Sequence, residues 1–385
     1  MELLLVINSG STSLKFGVYN NQSLKLLYSG MVENMANKAT FEVHRPGEKT
    51  LLGKEWSGKI NHEEALSFVL DWLKAAEPSS KVVAAGHRVV LGGEKCSAPT
   101  LITNEILDYL ESLSIFVPSH QPFNVGGIRA MEKVFPGLPQ VAVFDSSFHL
   151  TMSNLAKTYA LPKDIRDMGV RHWGFHGISY DFVNRQIKQL DPTAKKVLVG
   201  HLGGGASMCA IKDGKSFETS MAFSGLTGLP MATRSGDIPI DVAFYLLKEK
   251  GFDVAALEKT LYKNSGLLGL SGISDDMRKL SSSEDPSALF AIDYFVYALT
   301  KFAGSYIALM EGLDSLVFTA GIGEHSALVR QKLCANLAWL GVELNQQANQ
   351  ENELLVSSKE SRVKVWVIPT NEELMIAEYT SELTR

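Results

Sequence analysis

The stretch from Leu3 to Tyr19 reads LLLVINSGSTSLKFGVY, and it decides the fold. Its first five residues form an apolar run typical of a buried strand, and residues 14–19 predict a second strand. The polar residues 8–13 lie between them and include Gly10 and several hydroxyl side chains. The pattern predicts a β-hairpin whose tip carries glycine and hydroxyl groups.

The same pattern recurs about two hundred residues later. Residues 196–199 predict a strand, Gly203–Ser207 a turn and residues 208–211 another strand, and Asp213-Gly214 is a two-residue hairpin signal before a third strand. The two halves share the pattern and not the identity of their residues. A repeat at about half the chain length predicts two similar lobes, each beginning with a hairpin whose tip faces a cleft.

Strands and helices alternate along the rest of the chain, which indicates an α/β fold. Polar residues just past the strand ends are where ligands usually bind in such folds. The predicted strands are 81–86, 140–145, 315–319 and 363–369, and the predicted helices include 106–112 and 178–190.

Length and composition favour a globular protein of two domains. At 385 residues the chain is too long for one ordinary core, and 45% hydrophobic with 21% charged residues is an ordinary globular composition. A formal charge of −5 provides no global positive field for a nucleic acid or an anionic membrane. We therefore expect neither as a partner.

The sequence also favours a cytoplasmic protein. Its longest apolar runs are far shorter than the roughly 20 residues that a membrane span requires. The N-terminus does not have the pattern of a secretory signal. Cys96, Cys209 and Cys334 are odd in number and widely spaced, which argues against a disulfide framework and fits a reducing compartment.

Glycine-rich turns after strands suit phosphate, because backbone N–H groups can converge on an anion where no Cβ intervenes. The chain has three such turns, at Asn8–Ser13, Gly203–Ser207 and Gly321–Glu324. Each could equally be a structural turn. Known motifs are absent: Cys209 replaces the first glycine of a P-loop, and Met208 replaces the last glycine of a dinucleotide fingerprint.

A serine hydrolase is also disfavoured. The segment His201–Gly205 is similar to an esterase oxyanion loop, but the chain has no G-x-S-x-G nucleophile motif. His172 and His176 have the i, i+4 spacing of zinc ligands on a helix, although Gly174 and Gly177 make a helix there doubtful. The alternative is that these histidines are hydrogen-bonded structural residues or cleft donors.

Two arginines and three acids lie where they could contact an anion or a cation. Arg88 follows a predicted strand and Arg234 stands among small residues, and a guanidinium offers a bidentate fork to phosphate or carboxylate. Asp145, Glu372 and Asp276 end or follow apolar segments, which suits binding of Mg²⁺ or positioning of a nucleophile. The alternatives are surface ion pairs and helix-capping acids.

Taken together, these segments closely resemble the acetate kinase family, in family order from residue 3 to about 378. The matching motifs are Val6–Lys15, Val143–Asp145, Gly174–Gly177, His201–Ser207, Thr233–Gly236, Gly272–Ser274, Phe318–Glu324 and Ile368–Glu373.

The resemblance implies a duplicated actin-like ATPase fold of the acetate and sugar kinase/actin, ribonuclease H-like type, with two lobes around a cleft. The N-terminal lobe would comprise residues 1–148, with a C-terminal helix at 374–385 packing back on it. The nucleotide-binding lobe would comprise residues 149–373. The implied reaction is reversible, ATP-dependent phosphorylation of acetate or propionate by direct in-line transfer, in a homodimer.

The family's motifs also imply roles for particular residues. Arg88 would clamp the carboxylate, Arg234 and His176 would stabilise charge on the transferring phosphoryl group, and Asp145 would orient this cluster. The other implied contacts are Mg²⁺, which Mn²⁺ can replace, at Asn8 and Glu372, and ATP at Lys15, Ser11, Ser13, His201, Leu202, Gly203, Gly204, Gly205, Asp276, Met277, Arg278, Gly321, Ile322, Gly323, Glu324 and His325.

The chain departs from the family pattern at three of the implied binding positions. Gly204 replaces the usual asparagine of the loop after His201. In the implied acid pocket Val90 and Phe175 match, whereas Ser119 and Gly225 replace a leucine and a proline. Because two side chains have become smaller, we expect a pocket larger than acetate requires.

Two other functions are compatible with the sequence. One is a kinase of a longer acid such as butyrate, or one that uses another phosphoryl donor. The other is a non-catalytic actin-like nucleotide-binding module, because the same fold serves assembly as well as phosphoryl transfer.

Overall fold

The computed structural model describes residues 1–48 and 51–385. The strands, numbered along the chain, are β1 Glu2–Ser9, β2 Leu14–Asn20, β3 Leu26–Glu33, β4 Thr40–His44, β5 Leu52–Glu55, β6 Lys81–Val89, β7 Thr100–Leu101, β8 Gln140–Phe144, β9 Lys196–Leu202, β10 Ala206–Lys212, β11 Lys215–Thr219, β12 Ser315–Thr319 and β13 Lys364–Val367.

The helices are α1 His62–Ala76, α2 Asn104–Ser112, α3 Gln121–Val134, α4 Asn154–Lys157, α5 Lys163–Asp167, α6 Gly177–Leu190, α7 Ile240–Glu249, α8 Val254–Lys263, α9 Gly266–Ser271, α10 Met277–Ser281, α11 Pro286–Met310, α12 Ala320–His325, α13 Ala327–Asn336, α14 Gln346–Gln350 and α15 Glu372–Thr384. Short 3₁₀ segments occur at Leu113–Ile115, Ser147–Thr151 and Ala338–Leu340.

The chain forms two compact units. The first comprises Met1–Phe148 together with Asn371–Arg385, and the second comprises His149–Thr370. Residues 371–373, which the sequence places in the second lobe, lie in the first unit. The reason is local: the Asn371 side chain accepts a hydrogen bond of 2.9 Å from the Leu374 backbone N–H, so α15 begins at Glu372 and not at residue 374.

Each unit has one sheet, and the two sheets share a strand order. In the first the order is β5-β4-β3-β2-β1-β6-β8-β7, and in the second it is β11-β10-β9-β12-β13. In both, an antiparallel three-stranded meander is followed by two strands parallel to its first strand. The segment β3-β2-β1-β6-β8 therefore corresponds to the whole second sheet, and the predicted duplication is confirmed.

Both predicted hairpins are present. In the first, Ser9 pairs with Leu14, and the Gly10 backbone N–H donates to the Ser13 carbonyl across 2.8 Å. In the second, β9 and β10 pair from Leu202 and Ala206 onward. Asp213 and Gly214 both have positive φ, of 51° and 74°, which is the conformation that a two-residue hairpin turn requires.

The parallel strands are buried on both faces, which explains their unbroken apolar runs. Every residue of β8 and of β12 is buried. Strand β13 is shorter than the predicted 363–369 and ends before Pro369, whose nitrogen cannot donate to a ladder. Strand β6 runs to Val89, longer than predicted, so Arg88 lies within a strand and not after one.

Helix α15 packs closely on β6 in the first unit. A Cβ placed on Gly86 would lie 2.2 Å from the Thr380 hydroxyl and 2.6 Å from a methyl group of Ile376. Only glycine therefore permits this helix to approach the strand. The contact holds α15 against β6 at Ile376 and Thr380.

None of the helices in residues 1–48 and 51–385 is both long enough and apolar enough to cross a membrane.

Candidate active site

In the first unit, Arg88, Asp145 and Glu372 form one cluster of charges. Arg88 projects from β6, Asp145 follows β8, and the parallel register pairs Arg88 with Val143, two residues before the aspartate. The guanidinium donates to Asp145 Oδ2 from Nε at 3.0 Å and from Nη2 at 2.8 Å. Glu372 Oε2 lies 3.5 Å from Arg88 Nη1. Two carboxylates thus hold one guanidinium.

Burial dominates the electrostatics of this cluster. The Asp145 side chain is 2% exposed, and burial raises the pKa of Asp145 to about 6, with Arg88 opposing the rise and Glu372 adding to it. Burial alone would lower the pKa of Arg88, but Asp145 and Glu372 outweigh it and raise that pKa above its ordinary value. The Arg88 side chain as a whole is 22% exposed.

The first hairpin places Asn8 and Lys15 directly opposite each other in the β1–β2 register. Ser11 and Ser13 lie in the turn that follows Gly10. Burial raises the pKa of Glu373, with Lys15 opposing the rise, so this lysine lies near the start of α15. The hairpin tip and the first residues of α15 therefore belong to one polar region of the first unit.

Asn124, which the sequence did not single out, connects this hairpin to Val90. Its Nδ2 donates to the Ser9 carbonyl at 2.9 Å, and its Oδ1 accepts from the Val90 N–H at 3.0 Å. It is buried on α3. Ser119 is exposed and lies just before the same helix.

In the second unit, His176 and Arg234 approach each other at Gly205. A Cβ placed on Gly205 would lie 3.5 Å from His176 Nε2 and 4.0 Å from Arg234 Nη1. His176 has φ of 60°, in the left-handed region, where a residue other than glycine or asparagine is unusual. A glycine in the loop therefore lets two cationic or donor side chains approach the same backbone.

Hydrogen bonds hold the His176 ring. Its Nδ1 lies 2.9 Å from the Ser207 hydroxyl, and the ring stacks on His201 with centroids 4.1 Å apart. His201 Nδ1 in turn lies 2.8 Å from the Ser179 hydroxyl. The sequence analysis included Ser207 only as the last residue of a glycine-rich turn and did not identify Ser179, because a buried serine gives no pattern until its neighbours are known.

Arg234 is partly buried and has a different environment from Arg88. Its Nη1 donates to the Gly225 carbonyl at 2.7 Å. Across the residues that the structure describes, no carboxylate forms an ion pair with Arg234. Burial lowers the pKa of Arg234. A buried cation that is held by a neutral carbonyl can bind an external anion.

Gly225 controls the position of Arg234. A Cβ at Gly225 would lie 3.0 Å from Arg234 Nη1, tighter than an ordinary contact. From the sequence, glycine at this position was interpreted as a change in the acid pocket. Because Gly225 lies against Arg234, the residue type here also affects the space available to the guanidinium. Phe175, the other residue predicted for the acid in this unit, is 2% exposed.

A cavity of about 670 Å³ brings together two of the three glycine-rich turns. A Cβ on Gly204 or on Gly321 would meet no atom within 4 Å, so both glycines border open space. Of the residues predicted to bind nucleotide, those lining the cavity are Gly203, Gly204, Asp276, Met277, Arg278, Gly321, Ile322 and His325. The cavity is large enough for a nucleotide.

Some residues predicted to bind nucleotide also form contacts within the protein. Asp276 is the N-cap of α10, and hydrogen bonds from Arg278 lower the pKa of Asp276 to about 2. Glu324 accepts from the Thr370 N–H at 3.2 Å, and the Thr370 hydroxyl bonds Ser179 at 2.8 Å. Gly323 and Leu202 are buried, and Gly205 and His201 border His176.

The cavity also has walls that the sequence did not predict. Their side chains are mostly small or neutral and lie outside the motifs, although Ala232 is adjacent to the Thr233–Gly236 segment and Asp275 to the Gly272–Ser274 segment. These residues are Ala232, Asp275, Ser281, Ser326, Ala327, Leu328 and Gln350.

The i, i+4 histidine pair does not form a helical zinc site. Helix α6 begins at Gly177, so neither His172 nor His176 lies within it. His172 Nδ1 lies 3.6 Å from Glu218. Outside the undescribed residues 49 and 50, there is no cluster of three or more His, Cys, Asp or Glu side chains that could hold a metal ion.

With two sheets of one strand order and a glycine-lined cavity, the chain has the fold of solved propionate and acetate kinases. The model of the acetokinase family matches residues 3–378. The chain belongs to the acetokinase family, and it is therefore an enzyme that phosphorylates a carboxyl group with ATP.

Individual relatives agree with this assignment. The chain is 40% identical over 393 residues to an acetate kinase of Methylocella silvestris, covering 99% of this chain and 97% of the relative. It resembles the crystal structure of a propionate kinase from Francisella tularensis with a TM-score of 0.94 and 37% identity, covering 99% and 100% of the two chains. It also resembles the crystal structure of an acetate kinase from Porphyromonas gingivalis, with a TM-score of 0.92 and 34% identity, covering 100% of each chain.

Proposed function

We propose that the substrate acid is acetate or propionate and that transfer is direct, in line and reversible. A carboxylate oxygen attacks the γ-phosphorus, the bond from that phosphorus to the bridging oxygen breaks, and ADP leaves. The attacking carboxylate has no proton to lose, so no general base is required. The observation that carries the proposal is the Arg234 guanidinium, partly buried beside His176 and bonded to a neutral carbonyl.

Each arginine has a separate role in this proposal. Arg88, partly exposed and fixed by Asp145 and Glu372, binds the carboxylate of the acid. Arg234 and His176 stabilise the charge on the transferring phosphoryl group, which is the main barrier when both reactants are anions. Asp145 orients Arg88, because its carboxylate is buried and its Oδ2 accepts two hydrogen bonds from the guanidinium.

The cavity lined by Gly204 and Gly321 is the proposed ATP site. Backbone N–H groups of such glycines can approach phosphate closely. Lys15, Ser11 and Ser13 in the first unit stay predicted contacts to ATP.

The donor set fits Mg²⁺. This ion binds through one or two carboxylates and otherwise through water and substrate phosphates, so it does not require a cluster of protein ligands. Glu372 is 19% exposed and Asn8 is partly buried, so both can offer oxygen to an ion. When bound, Mg²⁺ would neutralise charge on the phosphates, and Mn²⁺ would substitute for it.

The exposed apolar side chains of two helices favour a homodimer. Phe244 and Tyr245 on α7 and Phe290 and Tyr297 on α11 are each at least 48% exposed. Exposed aromatic clusters of this kind mark interaction surfaces. We propose a cytoplasmic homodimer, and sedimentation velocity that gave a monomer at micromolar concentration would contradict it.

Formation of ADP that depends on added carboxylate tests the proposal. With Mg·ATP, acetate or propionate should raise the rate of ADP release far above the rate without acid. An equal rate with and without acid would instead support a non-catalytic nucleotide-binding module. Arg166→Ala, a change at an exposed arginine, is the control and should behave like the wild type.

The larger acid pocket expected from Ser119 and Gly225 makes a prediction about specificity. The kcat/KM for propionate should equal or exceed that for acetate, because one further buried methylene contributes about 1–3 kcal/mol where space exists. Ser119→Leu should shift the ratio toward acetate by roughly tenfold. It is a cleaner test than a change at Gly225, which also borders Arg234. A strong acetate preference in the wild type would refute the enlarged pocket.

Gly204 allows a test of donor binding. Because its Cβ position is open, Gly204→Asn should fold normally and add a polar side chain to the cavity. We expect KM for ATP to fall by about three- to tenfold, the effect of one hydrogen bond, with KM for the acid unchanged. An unchanged KM for every nucleoside triphosphate tried would mean that this side chain does not reach the donor.

A further inference from the structure

Arg330 is a fully buried arginine on α13, outside every motif discussed above. It is 0% exposed, and its guanidinium donates five hydrogen bonds. Nε donates to Asn349 Oδ1 at 2.7 Å, Nη1 to the carbonyls of Gly323 at 2.8 Å and Glu324 at 2.9 Å, and Nη2 to the Asn349 carbonyl and to Asn352 Oδ1, both at 2.6 Å. The donor capacity of the group is fully used.

All five acceptors are neutral oxygens. A buried cation without a carboxylate partner is costly unless fixed dipoles replace its hydration. Burial lowers the pKa of Arg330 to about 10, so the group stays protonated at neutral pH. A neutral side chain would fill this volume at a lower desolvation free energy. The presence of a charged, planar guanidinium here therefore indicates a specific role.

The acceptors lie in two segments that also supply residues to the cavity wall. Gly323 and Glu324 are in α12, whose Gly321 and Ile322 line the cavity. Asn349 lies in α14 beside Gln350, which lines the cavity as well. Asn349 Nδ2 also donates to the carbonyl of Ala327, a third lining residue, at 3.0 Å. One guanidinium therefore joins α12 to α14 behind the cavity.

We propose that Arg330 is a positioning residue that fixes the separation of α12 and α14 and so sets the affinity of the cavity for its nucleotide. The identity of the ligand rests on the proposed function, whereas the link between the two helices does not. No other residue type supplies five donors in one plane, so lysine should not replace it.

Two variants test the role without removing the whole side chain. Arg330→Lys keeps the charge but offers three donors on one atom. Asn352→Gly removes a single acceptor, and glycine tolerates the φ of 54° at that position. Leu333→Ala, on the same helix and equally buried, is the control for destabilisation alone. Thermal unfolding midpoints set an assay temperature at which all variants are folded.

Binding of Mg·ADP, measured by calorimetry without any carboxylate, is the main readout. We expect Kd to rise at least tenfold in Arg330→Lys, because several hydrogen bonds are lost. In Asn352→Gly we expect a rise of about threefold, because a single hydrogen bond to the charged group is lost. KM for ATP should rise in parallel, with kcat and the KM for the acid within about threefold. Leu333→Ala should leave Kd unchanged.

Unchanged Kd in folded Arg330→Lys, or an equal rise in Leu333→Ala, would overturn the inference. If the wild type bound Mg·ADP but did not phosphorylate carboxylates, the proposed function would fail. The effect of Arg330 on Kd would then still stand as measured, so the two failures are distinguishable.

Discussion

Arg234→Ala is expected to lower kcat by about 10³-fold or more while Mg·ADP binds with nearly unchanged Kd. Loss of one preorganised donor to a developing charge typically costs 10²–10³ in rate, and a full cation in a partly buried site contributes more. Binding should survive because Arg234 is not among the residues that line the cavity. Stopped assays for kcat and calorimetry for Kd measure the two quantities separately.

Two further variants define the origin of the Arg234 effect. Arg234→Lys keeps a positive charge but loses the planar fork, and it should recover only a small part of kcat. Gly225→Ala places a Cβ 3.0 Å from Nη1 and should lower kcat by displacing the guanidinium. Near-normal turnover in Arg234→Ala would remove this residue from the catalytic step.

Arg88→Met is expected to destabilise the first unit by about 3–5 kcal/mol as well as to lower kcat/KM for the acid by at least 10³-fold. The substitution leaves Asp145 buried without its counter-ion, and loss of one partner of a buried pair costs that much. Calorimetric unfolding and steady-state kinetics measure the two effects.

The double variant Arg88→Met with Asp145→Leu separates stability from function. Replacing both members of a buried pair by apolar residues is often neutral or stabilising, so the unfolding midpoint should return close to the wild-type value. Activity should not return, because the carboxylate clamp is still missing. Arg129→Met is the matched control, since its ion pairs with Asp108 and Glu111 are exposed and contribute little. A double variant with wild-type kcat/KM would contradict the role of Arg88.

Much of the fold was predictable because its signals are local. The apolar runs of β1, β8 and β12 and the turn residues Asp213-Gly214 each determine structure over a few residues. The repeat of a hairpin pattern then indicated the duplicated sheet. The predicted end of β6 was wrong, because pairing with its neighbouring strands sets it. The predicted start of α15 was wrong, because capping by Asn371 sets it.

The candidate site was predictable only where its residues lie in motifs. Arg88, Asp145 and Glu372 were identified one by one, and the structure brings them together in one unit. The contact of Ser207 with His176 and the roles of Asn124 and Arg330 were not identified, because each of these residues acts through partners distant in sequence. A buried arginine with five neutral acceptors cannot be told from a surface arginine until the fold is known.

The most direct test of phosphoryl transfer to a carboxylate is trapping of the product with hydroxylamine. In the presence of Mg·ATP, the wild-type enzyme should form acetyl or propionyl hydroxamate in amounts equal to the ADP released, and Arg234→Ala should form almost none. Release of ADP without any hydroxamate, across acetate, propionate and butyrate, would contradict the assignment of an acyl phosphate as the product.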